Sequence, residues 1–218
     1  MTALRATRAP VARRAGKATA GGGRRLTRKS ERTRRRVLAA AKQLFDRRGY
    51  RDTTIDDITR KAEIAHGTFY LYFGGKSELL KELLTQAFDE FDRIATRDLL
   101  VPGEIAGSVR ETLETYQRNR LLMRLLREAS AADAHFREDY DELFVELLVG
   151  HLRDNIIRLQ ATLPDDAPRV DPRAAARAMV GMIESFAYGI FIGGEEYSID
   201  VAVDTLTLFC TRAIGLPR

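Results

Sequence analysis

Between Thr53 and Lys76 the chain gathers residues suited to hydrogen-bonding a polyanion. Gly67-Thr68 is small and polar, so a backbone there can approach another surface closely and still offer a hydroxyl. Tyr70 and Tyr72 carry phenolic hydroxyls of the kind that meet phosphate oxygens. Lys76 stands where a long helical pattern begins, and its ammonium and the helix N-terminus both favour an anion. His66 has two readings: its imidazole donates to a guanine or a phosphate, or it faces solvent at a helix start. Phe69 and Phe73 lie four apart, share one helical face and read as anchors into a core.

Short helical elements must hold these groups in place. Thr53-Thr54 offers an N-cap, and Ile55, Ile58 and Ala62 form the apolar side of a short helix. Glu63-Ile64-Ala65 reads as a tight connection, and His66 to Phe73 as a second short helix stopped by Gly74-Gly75. Such a pair is a helix-turn-helix, with the second helix presented to a DNA major groove. Upstream, Ser30 or Thr33 can cap a supporting helix through Val37, Ala41, Leu44, Phe45 and Arg48, ended by Gly49. Downstream, Lys76 opens a long amphipathic helix through Leu79, Leu80, Leu83, Leu84, Ala87, Phe88, Phe91 and Ile94, broken at Pro102-Gly103.

The remainder is also periodic in the helical sense. Ile105 to Tyr116, Leu121 to Leu126 and Phe136 to Leu152 mark three segments, the last one long. Pro164, Pro168 and Pro172 flank an acidic loop. Asp171-Pro172 predicts an N-cap followed by proline at the first helical position, for a helix reaching about Ile192. Asp200 is expected to cap a last helix, closed by Gly215. No segment reads as a strand, so the expected fold is all-α. An N-terminal helix-turn-helix DNA-binding domain precedes a larger C-terminal helical domain. The expected divisions are a disordered basic arm over 1–29, the helix-turn-helix domain over 30–76, and the helical domain over 77–218.

Charge divides along the same line. The net charge of the 218 residues is +5. Residues 1–76 hold 20 Lys and Arg against 6 acids, and residues 77–218 hold 16 against 25. A positive module attracts polyanions and an acidic one does not, although a solvated charge pattern without a partner is the plainer alternative. Residues 1–29 alone carry nine basic residues and no acid. Two readings stand for them: a dispensable leader, or an arm that touches phosphates or the minor groove. The single cysteine, Cys210, rules out a disulfide within the chain and fits a reducing cytoplasm; in its apolar helix it reads as inert. No apolar run approaches the roughly 18–20 residues of a membrane span, and no apolar stretch follows the basic N-terminus as in a signal peptide.

The string from Gly49 to Ile58, followed by Ala62, Ile64 and then Gly67-Thr68-Phe69-Tyr70-Leu71-Tyr72-Phe73-Gly74-Gly75-Lys76-Ser77-Glu78-Leu79-Leu80, resembles the signature of the TetR family of transcriptional regulators. The likeness covers about Ser30 to Leu84. It implies that His66, Gly67, Thr68, Tyr70, Leu71 and Tyr72 face DNA. It also implies that Thr54 caps the first motif helix near a phosphate and that Lys76 contacts a phosphate. Two departures stand out. Ala65 occupies a position where many members have a serine cap, and Gly75 replaces a small polar residue.

In the C-terminal region Ala174, Ala175, Ala176, Ala178, Gly181 and Ser185 let a partner helix approach closely, and Ile190 to Ile192, Leu206, Leu208 and Phe209 add apolar area. Internal core explains them too, but a homodimer is favoured because helix-turn-helix proteins read two half-sites. The resemblance implies pairing of the last two helices with their copies. It also implies an effector pocket among Tyr116, Met123, Phe136, Tyr140, Phe144, His151, Met179, Met182 and Phe186, residues that otherwise read as plain core. Aromatics and methionines with a few polar tips suit an apolar small molecule. His66, His135 and His151 show no zinc spacing, and no phosphate loop or nucleophile elbow is present, so neither cofactor nor enzyme is expected. The expected function is thus a repressor released from a palindromic operator in double-stranded DNA by a small apolar effector. An activator of the same fold, or a protein that coats DNA without sequence preference, are the alternatives.

Overall fold

The computed structural model describes residues 28–97, 103–165, 167 and 169–215. The expectations for residues 1–27 of the basic arm and for the break at Pro102 lie outside the described residues. Among those described, every regular element is helical and none is a strand, so the chain is all-α. Two compact units are present. One contains residues up to Arg48 and Asp52–Asp89; the other contains Gly49–Arg51 and residues from Glu90 on.

In the first unit, α1 (Arg28–Arg48) buries Val37, Ala40, Ala41, Leu44 and Phe45, a helical stripe of spacing three and four. It packs on α2 (Ile55–Lys61), which packs on α3 (His66–Phe69). Phe45, Ile58, Phe69, Phe73, Leu79 and Leu80 form the fully buried core. α1 begins two residues before Ser30, so Ser30 and Thr33 lie within the helix and neither caps it. Ser30 Oγ instead donates to the Tyr72 hydroxyl at 3.2 Å, and Thr33 Oγ1 to the Lys29 carbonyl at 3.1 Å.

α4 (Lys76–Ala95) is shared by both units, which divide between Asp89 and Glu90. The sequence places its domain boundary at residue 76, where the charge pattern changes.

The second unit holds α5 (Glu104–Arg118), α6 (Arg120–Ala132), α7 (Ala134–Tyr140), α8 (Glu146–Gln160), α9 (Pro172–Phe191) and α10 (Ile199–Ala213). α9 packs on α8 and α5, and α10 on α5. The long helix expected over Phe136 to Leu152 is instead α7, a π-helical turn at Asp141–Val145, and α8. The wider turn shifts the helical phase and leaves Phe136, Phe144, Val145 and Val149 all buried. Asp171 caps α9 as expected, accepting from the Ala174 N–H at 2.7 Å, with Pro172 at the first position.

The cap of α10 is Ser198, not Asp200. Ser198 has the extended backbone a cap requires and its Oγ accepts from the Val201 N–H at 3.2 Å. Asp200 is already helical and meets Arg110 at 2.6 Å. Cys210 is fully buried in α10, and burial pushes its thiol up to about 11. No described helix is long and apolar enough to cross a membrane.

Candidate nucleic-acid interface

The first motif helix is held at its N-terminus by Thr54. Its Oγ1 accepts from the Asp57 N–H at 3.1 Å, while Asp57 Oδ2 accepts from the Thr54 N–H at 3.3 Å and from Oγ1 at 2.7 Å. This reciprocal box satisfies backbone donors that a helix start leaves unpaired. The Thr54 hydroxyl and N–H hold the Asp57 carboxyl below its ordinary range, helped by Arg48 and Arg60. The connection to α3 turns at Glu63, the one described non-glycine residue with positive φ (50°). Arg36 of α1 ties this turn down, donating to the Ala62 carbonyl and meeting the Glu63 carboxylate at 3.1 Å.

α3 begins at Ala65, whose φ of −66° and ψ of 146° suit a cap but whose side chain makes no capping bond. The α-helix ends at Phe69, earlier than the Phe73 expected from the pattern. Beyond it the chain tightens into bonds from the Leu71 N–H to the Thr68 carbonyl and from the Tyr72 N–H to the Phe69 carbonyl. That turn folds Phe73 beneath Phe69, with ring centroids 5.6 Å apart. Gly74 follows, its N–H donating to Glu78 Oε2 at 2.5 Å. A Cβ at Gly74 would lie 2.8 Å from that same oxygen, so a larger residue would require the Glu78 carboxylate to shift.

The result is a sharp division of side chains. Phe69 and Phe73 are 0% and 1% exposed, whereas Tyr70 and Leu71 are 51% and 79% exposed. His66, Gly67 and Thr54 are exposed as well; Thr68, Tyr72 and Lys76 are half-buried. His66 Nδ1 lies 2.6 Å from Asp56 Oδ1, and its ring stands 5.4 Å from that of Tyr70. Two expected phosphate ligands already have partners: the Tyr72 hydroxyl accepts from Ser30, and Lys76 Nζ donates to the Thr53 carbonyl at 2.8 Å. Burial pulls the Lys76 ammonium below the ordinary lysine range, and Asp52 partly restores it. Lys76 therefore ties the start of α4 to the residue preceding the Thr54 cap.

The second unit contains a cavity of about 190 Å³ among α5, α6, α7, the π-helical turn and α9. Of the nine residues expected at an effector pocket, Tyr116, Met123 and Tyr140 line it. Phe136, Phe144 and Met179 are buried core instead. His151 Nδ1 faces Asp92 at 3.1 Å, Phe186 lies against Tyr197 with ring centroids 5.5 Å apart, and Met182 is half-buried away from the lining. Five charged groups to which neither residue type nor spacing points also line it: Arg127, Arg137, Arg177, Asp141 and Glu184. The lining thus combines apolar residues with charged ones.

A helix-turn-helix that presents an exposed turn, in a chain whose second unit is also helical, is the arrangement of a DNA-binding regulator. Residues 37–83 match the family model described as "Bacterial regulatory proteins, tetR family". The chain is 24% identical over 185 residues to the helix-turn-helix transcriptional regulator YvdT of Bacillus subtilis, covering 83% of this chain and 94% of that protein. It is 37% identical over 70 residues to the regulator SrpR of Pseudomonas putida, covering 32% of this chain and 33% of SrpR. Its fold is that of NalD from Pseudomonas aeruginosa, the secondary repressor of the MexAB-OprM multidrug efflux pump. That match has a TM-score of 0.69 and 22% identity, and covers 86% of this chain and 98% of NalD. Residues 37–83 are thus a DNA-binding domain of the TetR-family type, and the chain is similar over most of its length to a helix-turn-helix transcriptional regulator.

Proposed function

We propose that the protein is a cytoplasmic homodimeric repressor that reads a near-palindromic operator through α3 and the turn after it, and that a ligand in the second unit releases it. The division of side chains around α3 carries this reading. The segment from Phe69 to Phe73 is anchored at both ends by buried rings, yet holds Tyr70 and Leu71 in solvent at 51% and 79% exposure. An apolar Leu71 exposed to that degree gains from contact with a thymine methyl, and the Thr68 hydroxyl suits a base edge. His66, Gly67 and the Tyr70 hydroxyl stand on the same short segment; phosphate contacts are assigned to Thr54, Tyr72 and Lys76, the last two by exchanging their bonds to Ser30 and to the Thr53 carbonyl.

Dimerisation is assigned to α9 and α10. Ala174, Ala178 and Ser185 are exposed along α9, and a Cβ added at Gly181 would meet nothing within 4 Å. On α10 Val201, Leu208 and Phe209 are 50%, 50% and 57% exposed, a large apolar display for a monomer surface. Release follows if the ligand binds more tightly to the conformer whose two recognition helices mismatch the half-sites.

Salt-dependent binding tests the assignment of roles. Lys76→Ala should weaken binding to all sequences and lower the salt slope by about one per subunit, whereas Thr68→Ala should change sequence preference. A Lys76→Ala protein with altered preference and an unchanged salt slope overturns that assignment.

A further inference from the structure

The cavity in the second unit combines a buried apolar floor with a charged rim. Met123, Leu126 and Val145 are 5%, 4% and 3% exposed and supply the floor. Around the rim stand three guanidinium groups, Arg127, Arg137 and Arg177, against two carboxylates, Asp141 and Glu184. Among the described residues no ion pair joins any of these five groups to another, although Arg127 and Arg177 act on Glu184 through space. One positive charge is left in excess.

We infer that this cavity takes a small organic monocarboxylate: an acid head met by Arg127 and Arg177, and a short apolar or aromatic body seated on Met123, Leu126 and Val145. The inference rests on the effector-binding reading above and names the class of effector.

Three observations support it. A monoanion neutralises the excess positive charge, while a cation adds to it. The Arg127 guanidinium carbon lies over the Tyr188 ring, 3.9 Å from its centroid, a contact that restrains this cation beside the cavity, and a guanidinium can meet a carboxylate with two N–H donors. Ser130, on the same wall, has a buried Oγ with no hydrogen-bond partner among the described residues, a donor available to the head group. Glu184 keeps one side in solvent but is crowded on the others. That crowding pushes its carboxyl up while Arg127 and Arg177 pull it down. Size argues for a small ligand, since the cavity of about 190 Å³ falls below the roughly 300–1,000 Å³ of pockets for drug-sized molecules.

The test uses the full-length dimer and a panel of benzoate, phenylacetate, hexanoate and octanoate, each with its matched amide and amine. Calorimetry reads binding, and operator affinity is read in the same samples. At least one acid should bind about tenfold or more tightly than both its amide and its amine. Arg177→Gln and Arg127→Gln should remove that preference, leave amide binding unchanged and spare operator binding without ligand. If no acid binds, if amides or amines match the acids, or if both arginine variants keep the preference, the inference is wrong. An amide or amine that binds and releases operator would overturn the acid class and keep the repressor reading. An acid that binds as predicted but leaves operator affinity unchanged would keep the ligand class and overturn release.

Discussion

Ala65→Ser should stabilise the DNA-binding unit. Ala65 already has the extended backbone of an N-cap, at φ −66° and ψ 146°, and lacks only an acceptor side chain. Thr54, Asp133, Asp171 and Ser198 all use theirs to close a helix start. A serine hydroxyl there would accept from the Gly67 or Thr68 N–H, and a cap of this kind contributes about 1 kcal/mol. Ala65 is exposed, so the hydroxyl enters without displacing core atoms. For a domain of about 60–100 residues that gain raises Tm by roughly 4–8 °C. The opposite change, Thr54→Ala, removes an existing cap and should lower Tm by a similar amount. Because α3 is already helical, the gain in operator affinity from Ala65→Ser should stay below about fivefold. Thermal unfolding followed by circular dichroism, with operator binding on the same proteins, measures both effects. A Tm for Ala65→Ser that is unchanged or lower, while Thr54→Ala falls as expected, would refute the claim that α3 lacks only a side-chain acceptor.

Phe69→Ala removes a fully buried ring and should cost about 3–5 kcal/mol, read as loss of cooperative unfolding of the unit. Leu71→Ala, at 79% exposure, should leave stability within about 0.5 kcal/mol and weaken operator binding instead. Equal loss of stability in both would mean that Leu71 packs inside the protein. Asp57, whose carboxyl is held down first by the Thr54 hydroxyl, contributes stability that is present above the ordinary carboxylate value near about 3.9 and is lost as pH falls below it. The stability difference between the wild type and Thr54→Ala should therefore narrow in acid; a difference that is constant or widens below that value contradicts the assignment.

The helix-turn-helix was legible because its determinants are local. Phe69 and Phe73 sit one helical turn apart, Thr54 precedes an apolar run, and Gly74 marks a stop, so periodicity and turn chemistry coincide. The end of α3 was misplaced because a turn with i to i+3 bonds keeps the same rows of side chains as an α-helix. Ser30 looked like a cap because a hydroxyl near a helix start is ambiguous until the first helical residue is known; the same ambiguity assigned the α10 cap to Asp200 in place of Ser198. The π-helical turn at Asp141–Val145 has no signature in spacing. The cavity was half legible. Tyr116, Met123 and Tyr140 line it, but Arg127, Arg177 and Glu184 carry no signal in spacing, and only packing brings α6 and α9 around one gap.

The account rests on α3 and its following turn reading base sequence in a symmetric dimer. Selection of bound duplexes from a random pool, with wild type and Thr68→Ala side by side, tests this most directly. The account predicts an inverted repeat whose half-sites are centred about 34–36 Å apart, or a multiple of that, with Thr68→Ala shifting the preferred bases within each half-site. A pool with no enriched sequence, or one whose enriched sequence has no repeat and is unchanged by Thr68→Ala, would contradict it.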